Sequence, residues 1–178
     1  MTTYNLEGLV GDLLRQNGLW LATAESCTGG LIASRITDIP GSSDYFLGGV
    51  VAYANRIKIS QLGVSPTTLD ELGAVSRETV LQMALGARER FGANLGLAVS
   101  GVAGPGGGTP EKPVGLTWIG LSAAASSAGG SDYLAAWSYL WPGSRLQVKS
   151  QTAEQALRLL YEYLSELTPS ERVLPPPP

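Results

Sequence analysis

Apolar residues recur at helical spacing near the start of the chain. Leu6, Leu9, Val10 and Leu13 line up on one face and Gly18 follows as a stop, which predicts an amphipathic helix. The period then changes. "LWLATAE" from Leu19 is a short strand running into "SCTGG", and "LIASRITDIPG" reads as a helix closed by Pro40 and Gly41. "YFLGGVVAYA", Tyr45 to Ala54, is rich in β-branched and aromatic residues and predicts a buried strand, followed by the short helical stretch "NRIKISQLG". Ser76 stands where it can cap the helix "RETVLQMALGARERFG", whose Val80, Met83, Ala84, Ala87 and Phe91 share a face.

Farther along, "LGLAVSGVAG" is a second buried strand that runs into the Gly/Pro loop "GPGGGTPEKPVG". "LTWIGLSAA" and "YLAAWSYLW" flank the polar turn "ASSAGGSD" and predict an antiparallel pair. Ala153, Ala156, Leu157, Leu160, Tyr161 and Leu164 mark a long closing helix, and "TPSERVLPPPP" is an extended or disordered tail. Alternating elements with a late hairpin predict a three-layer α/β/α domain around a mixed, mostly parallel central sheet with a C-terminal antiparallel hairpin. We expect one domain over residues 1–167 and a Pro-rich tail over 168–178, with no internal repeat.

Composition narrows the chemistry. With 178 residues, 44% hydrophobic and 15% charged, the chain can bury a core. Net charge is −3, the sequence pI is about 4.9, and the arginines are scattered singly, so direct nucleic-acid binding is not expected. One cysteine excludes an internal disulfide framework. "MTTYNLEG" lacks a basic n-region and an apolar h-region, and no apolar run approaches the roughly 18 residues of a membrane span; the expectation is a cytoplasmic protein. Histidine is absent altogether. Ser-His-Asp and Cys-His catalysis and His-ligated zinc are thereby excluded, and proton transfer falls to carboxylate, Lys, Tyr, Cys or water.

Three stretches could carry chemistry. In "AESCTGGLIASRI" a strand hands over to a helix through Ser26, Cys27, Thr28, Gly29 and Gly30. Unpaired N–H groups and the helix dipole at such a corner suit an anion or oxyanion, and glycines let a ligand approach the backbone. Equally, Ser26 or Thr28 there can be a plain helix cap. The G-x-S-x-G elbow is absent. Cys27 could be activated by a helix N-terminus, but without His it lacks the usual base, and Ser26 is favoured. In "VVAYANRIK", Tyr53 ends a strand and Lys58 follows five residues later; Lys58 is either a desolvated base or a snorkelling surface lysine beside a core tyrosine. "SGVAGPGGGTPEKPVG" is Gly-rich but fits neither G-x-G-x-x-G nor a P-loop, so it is either a weak phosphate cradle or a lid. Arg145, at a helix start in "WPGSRLQVK", is either an anion clamp or a solvated charge.

Taken in order, "AESCTGG", "GSSDYFLGGVVAYANRIKISQLGV", "GAVSRETVLQMALGAR", "SGVAGPGGGTPEKPVG" and "PGSR" resemble the CinA C-terminal domain family, the nicotinamide-nucleotide amidases also called PncC. Ser100 and Val102 stand where Thr and Ile are more usual in the family, and both keep the character of the position. The family's larger N-terminal domain, which resembles molybdopterin-binding proteins, has no counterpart in the sequence, so a stand-alone version is expected.

The resemblance implies hydrolysis of the carboxamide of nicotinamide mononucleotide to nicotinate mononucleotide and ammonia, without metal or cofactor. It implies Ser26 as nucleophile, with Tyr53 and Lys58 as the proton-handling pair. Lys58 would take the Ser26 proton, kept neutral by burial or coupled through the Tyr53 hydroxyl. Cys27, Thr28, Gly29, Gly30, Ser100 and Gly101 are the expected oxyanion and substrate residues, with N–H groups at Cys27 to Gly29 facing the oxyanion. Arg145, Thr28 and the loop Gly104–Gly108, with Gly104, Gly106 and Gly107, are the phosphate candidates. Self-association is expected, most simply as a homodimer, and a recombination protein is a conceivable partner. Two rivals stand beside this reading: a non-catalytic competence- or damage-linked interaction module, and an amidase for a different nucleotide-like amide.

Overall fold

Alternation of large and small residues along the central strands decides how the layers stack. On β1 (Leu21–Glu25) and β3 (Leu95–Gly101), Leu21, Leu95, Leu97 and Val99 point into one core, while Ala22, Ala24 and Ala98 line the other. The computed structural model describes residues 6–125 and 131–167, and the tail 168–178 and the middle of the "ASSAGGSD" turn lie outside them. The remaining elements are α1 (Leu6–Asn17), α2 (Leu31–Thr37), β2 (Phe46–Val51), α3 (Asn55–Leu62), α4 (Pro66–Leu72), α5 (Arg77–Phe91), β4 (Leu116–Ala123), β5 (Tyr133–Leu140) and α6 (Arg145–Glu166).

The sheet order is β2-β1-β3-β4-β5. β1 pairs in parallel with β2 and β3, while β4 runs against both β3 and β5. Four of the five strands therefore share a direction, and β4–β5 is the antiparallel hairpin the pattern predicts. Helices α1, α2 and α6 cover the face of large side chains, and α3, α4 and α5 cover the other. The fold is the expected α/β/α sandwich. Among the described residues no helix is long and apolar enough to cross a membrane.

The second face is nearly flat. A Cβ at Gly96 would lie 2.0 Å from the Ala84 carbonyl oxygen, and one at Gly120 2.6 Å from that of Val80, so α5 rests almost directly on the sheet backbone. The same closeness joins α3 to α5, where a Cβ at Gly86 would lie 1.9 Å from the Leu62 carbonyl oxygen. Ser76 caps α5 as expected, accepting from the Thr79 N–H at 3.2 Å.

Element ends differ from the pattern in three places. α2 stops at Thr37, short of Pro40, and a single 3-10 turn spans Ser42–Asp44. β2 stops at Val51, because the chain leaves the sheet edge there and carries Tyr53 outward. α4 has no periodic signature, since it is seven residues long and buries only Leu69. Its start is nevertheless conventional, with Pro66 in the first turn.

On the first face Arg35 of α2 bridges Glu7 of α1 and Glu154 of α6, the latter at 2.8 Å. Burial works to raise the Glu7 carboxyl, but the hydrogen bond from Arg35, a backbone hydrogen bond and the Arg35 charge together outweigh it and leave the group below its ordinary value. Stabilisation from this pair is therefore complete above the ordinary carboxylate range and is lost as pH falls through the lowered Glu7 value. Urea unfolding of the parent and Arg35→Met should show a stability gap at pH 7 that shrinks below about pH 4. Gly96→Ala should cost about 1–3 kcal/mol by thermal or urea unfolding, because backbone rather than a movable side chain blocks the new methyl.

Candidate active site

Three parallel strands end side by side, and their carboxyl ends carry the chemistry. After β1 the chain continues to Ser26, whose N–H donates to the Val99 carbonyl at 3.0 Å; the Ala52 N–H donates to the Glu25 carbonyl at 2.8 Å. Both bonds extend the sheet by one residue. Ser26, the residues after β2 and those after β3 are thus held together at the place where ligands bind in open α/β sheets.

Lys58, in the first turns of α3, is 1% exposed and points back to this corner. Its Nζ lies 3.1 Å from Ser26 Oγ, 2.8 Å from the Ala52 carbonyl oxygen and 3.4 Å from that of Tyr53. Burial pulls the ammonium below its ordinary value. A neutral amine has two N–H donors and one lone pair. In that neutral form, with the two carbonyls taking the donors, the lone pair is left for the Ser26 hydroxyl; the ammonium form donates to Ser26 Oγ instead.

Glu25 is the residue that sequence reasoning missed. Its side chain is buried and accepts from the Thr28 hydroxyl at 2.6 Å and from the N–H groups of Gly30, Ile32 and Ala33 at 3.0, 3.1 and 2.8 Å. Four donors and the positive end of the α2 dipole make burial of this carboxylate tolerable. The helix N-terminus expected to receive an anion is therefore already occupied by one. The signal was present: an acidic residue closing an otherwise apolar strand, directly before Ser26.

Three expectations for the corner change, those for Thr28, Gly29 and Gly30. Thr28 is fully engaged by Glu25 and does not face a phosphate. Gly30 gives its N–H to Glu25, and Gly29 gives its own to the Ser26 carbonyl at 3.1 Å, so neither serves an oxyanion. The N–H groups of Cys27 and Thr28 face the Cys27 thiol and reach no carbonyl among the described residues. Burial pushes the Cys27 thiol up to about 12, so at neutral pH it stays protonated and is a poor nucleophile.

A pocket of about 230 Å³ opens over Ser26 and Lys58, with Tyr53, Ser100, Gly101 and Arg145 also in its wall. Residues 3–164 match the CinA C-terminal domain. This chain belongs to the CinA family. A CinA-like protein of Chlorobium limicola is 45% identical over 168 residues, covering 94% of this chain and 39% of its own length. One from Chloroherpeton thalassium is 48% identical over 164 residues, covering 92% of this chain and 38% of its own length. The chain thus spans less than two-fifths of these curated relatives. The crystal structure of the competence/damage inducible protein CihA from Agrobacterium tumefaciens is similar with a TM-score of 0.81 and 40% identity, covering 93% of this chain and 100% of that one. A CinA superfamily protein from Klebsiella pneumoniae gives 0.83 and 30%, covering 92% and 100%.

Around the rim of this CinA-family pocket, Tyr53 is 60% exposed and its hydroxyl accepts from Arg145 Nη2 at 2.6 Å. It does not couple Lys58 to Ser26; its contribution to Lys58 is a main-chain carbonyl. Arg145 also donates to the Gly104 carbonyl at 2.8 Å, so Gly104 meets the site as an acceptor, which a phosphate does not use. Gly106 and Gly107 are exposed and absent from the pocket wall. Ser100 donates to the Ala74 carbonyl at 2.7 Å and ties β3 to the loop before α5. At Gly101 a Cβ would lie 2.6 Å from the Thr117 methyl, so this glycine serves a close β3–β4 approach. Among the described residues no three His, Cys, Asp or Glu side chains gather as a metal would require.

Glu25→Gln turns one acceptor oxygen into an N–H donor facing other donors. By thermal or urea unfolding it should destabilise the fold by about 2 kcal/mol or more. An unchanged stability would mean that the carboxylate does not hold the corner.

Proposed function

We propose that this CinA-family domain hydrolyses the carboxamide of nicotinamide mononucleotide, giving nicotinate mononucleotide and ammonia, with Ser26 as nucleophile and Lys58 as the base. The observation that carries the reading is the 3.1 Å approach of a buried amine to a serine hydroxyl at the mouth of a small pocket. The chain has no histidine, and among the described residues no other side-chain base is hydrogen-bonded to Ser26 Oγ. The pocket has room for one six-membered ring and its amide but is small for a whole nucleotide, which leaves the ribose phosphate toward the rim.

Ser26 Oγ bonds to the carboxamide carbon as its proton passes to the Lys58 amine. The oxyanion takes over the N–H groups of Cys27 and Thr28 from the Cys27 thiol, a weak acceptor; one such donor contributes roughly 3 kcal/mol to the transition state. Lys58 returns the proton to the leaving nitrogen, the C–N bond breaks and ammonia departs. Water then attacks the acyl ester, giving one proton to Lys58, which passes it to Ser26 Oγ; the product leaves as the carboxylic acid and loses its proton to solvent. Tyr53 carries no proton in this scheme, since its hydroxyl is held by Arg145.

The competence- and damage-related names of the relatives favour a second reading, a protein-interaction module without catalysis. Incubation with nicotinamide mononucleotide separates the two. Ammonia and nicotinate mononucleotide support the amidase; no product from this or any other amide supports the module.

Ser26→Ala should lower turnover by roughly a thousandfold or more without unfolding the protein. Turnover retained in that variant, with Cys27→Ala inactive, would move the nucleophile one residue on. Because the base must be neutral, kcat/KM should fall as pH drops through an acid limb lying below the ordinary lysine value of 10.5. Lys58→Met should remove that limb together with the activity.

A further inference from the structure

The Gly/Pro loop after β3 has no role in the reading above, yet its tip is firmly built. At its base the Val102 N–H donates to the Leu116 carbonyl and the Gly115 N–H to the Val102 carbonyl, both at 2.8 Å. At its tip Thr109 and Lys112 close on each other, each N–H donating to the other's carbonyl at 3.0 and 3.2 Å, and the Lys112 N–H also reaches the Thr109 hydroxyl at 3.1 Å. From this turn the Lys112 ammonium crosses to α4 and donates to the Leu72 carbonyl at that helix's end. Unpaired carbonyls collect at the carboxyl end of a helix, and a cation is favoured there.

That carbonyl is the first of three in a row that side chains hold. The Gly73 carbonyl accepts from the Thr79 hydroxyl at 2.8 Å and from Ser76 Oγ at 3.1 Å, and the Ala74 carbonyl accepts from Ser100 Oγ at 2.7 Å. Gly73 has φ 75°, and a Cβ there would lie 2.9 Å from Lys112 Nζ, so both the turn and the approach of the lysine need a glycine. Ser76 and Thr79 belong to the start of α5 and Ser100 to β3; of these four anchors only Lys112 comes from a surface loop. Ala74 and Val75, half-buried and apolar, stand in the wall of the pocket over Ser26 and Lys58. Residues 105–111 are exposed, so the core does not rest on the bond from Lys112. What the bond fixes is the wall.

We propose that Lys112 is a positioning residue: by holding the Leu72 carbonyl it sets Ala74 and Val75 as the wall that limits the size of the ring admitted over Ser26. The identity of the ring rests on the amidase reading, whereas the latch and the wall stand on their own contacts. In a pocket of about 230 Å³ a second, fused ring finds room only if this wall retreats. Misfit by a single methylene against an apolar wall corresponds to about a tenfold effect or more.

The test compares the parent, Lys112→Met, Lys112→Arg and Val75→Ala. Ammonia release is measured with nicotinamide mononucleotide and with its benzo-fused analogue, which carries quinoline-3-carboxamide in place of nicotinamide; the thermal shift that each compound produces is measured in parallel. The ratio of kcat/KM for the smaller ring to that for the larger should fall about tenfold in Lys112→Met and in Val75→Ala, and recover in Lys112→Arg. The acid limb of the pH–rate profile should stay in place in all three variants, since Ser26 and Lys58 are untouched. A parental ratio in Lys112→Met, a fall that Lys112→Arg fails to restore, or a displaced acid limb overturns the proposal. If the parent releases no ammonia from either compound, the amidase reading fails, and the thermal shifts decide the wall. A larger shift from the smaller ring, with the difference lost in Lys112→Met and Val75→Ala, upholds it; shifts that do not depend on Lys112 overturn it as well.

Discussion

A buried carboxylate organises the business end of this molecule. Glu25 closes β1 and immediately satisfies the first turn of α2, taking three backbone N–H groups and the Thr28 hydroxyl. The strand–helix turn is thereby fixed at both ends, by the sheet ladder through Ser26 and Ala52 on one side and by Glu25 on the other. Ser26 sits in the middle with little freedom to move. The same carboxylate consumes the positive end of the helix, so negative charge on a ligand must be met elsewhere. That division separates the Ser26–Lys58 pair at the corner from the cationic Arg145 contributed by α6.

Each face of the sandwich then contributes one kind of group. The α3 side delivers Lys58, buried against Ser26 and the Ala52 carbonyl. The α6 side delivers Arg145 at the start of a 22-residue helix, which Arg35 ties to α1 and α2. The two sets meet only because the parallel strands end at the same level.

The order of elements and the mixed sheet are legible in the sequence, because each strand is a short apolar run and each long helix carries a periodic face. α4 is not, since a seven-residue helix with one buried leucine leaves no period to detect. The strand–helix corner can be located from "AESCTGG", but not its wiring. Whether Thr28 and Gly30 face a ligand or a carboxylate five residues or fewer upstream depends on the turn's path in space. The same holds for Tyr53: a tyrosine near a lysine in sequence suggests a shared proton, yet the chain leaves β2 at Val51 and turns the ring outward toward Arg145. Local spacing carries no information on a partner 92 residues away.

The seam between α3 and α5 gives the closing consequence. At Gly86 the Leu62 carbonyl comes so near that no side chain fits, and Leu62 is the last residue of the same short helix that bears Lys58. A single missing methyl on one helix thus acts as the spacer for another. Any bulk gained there would press on the Leu62 end of α3, the helix that holds the Lys58 amine 3.1 Å from Ser26.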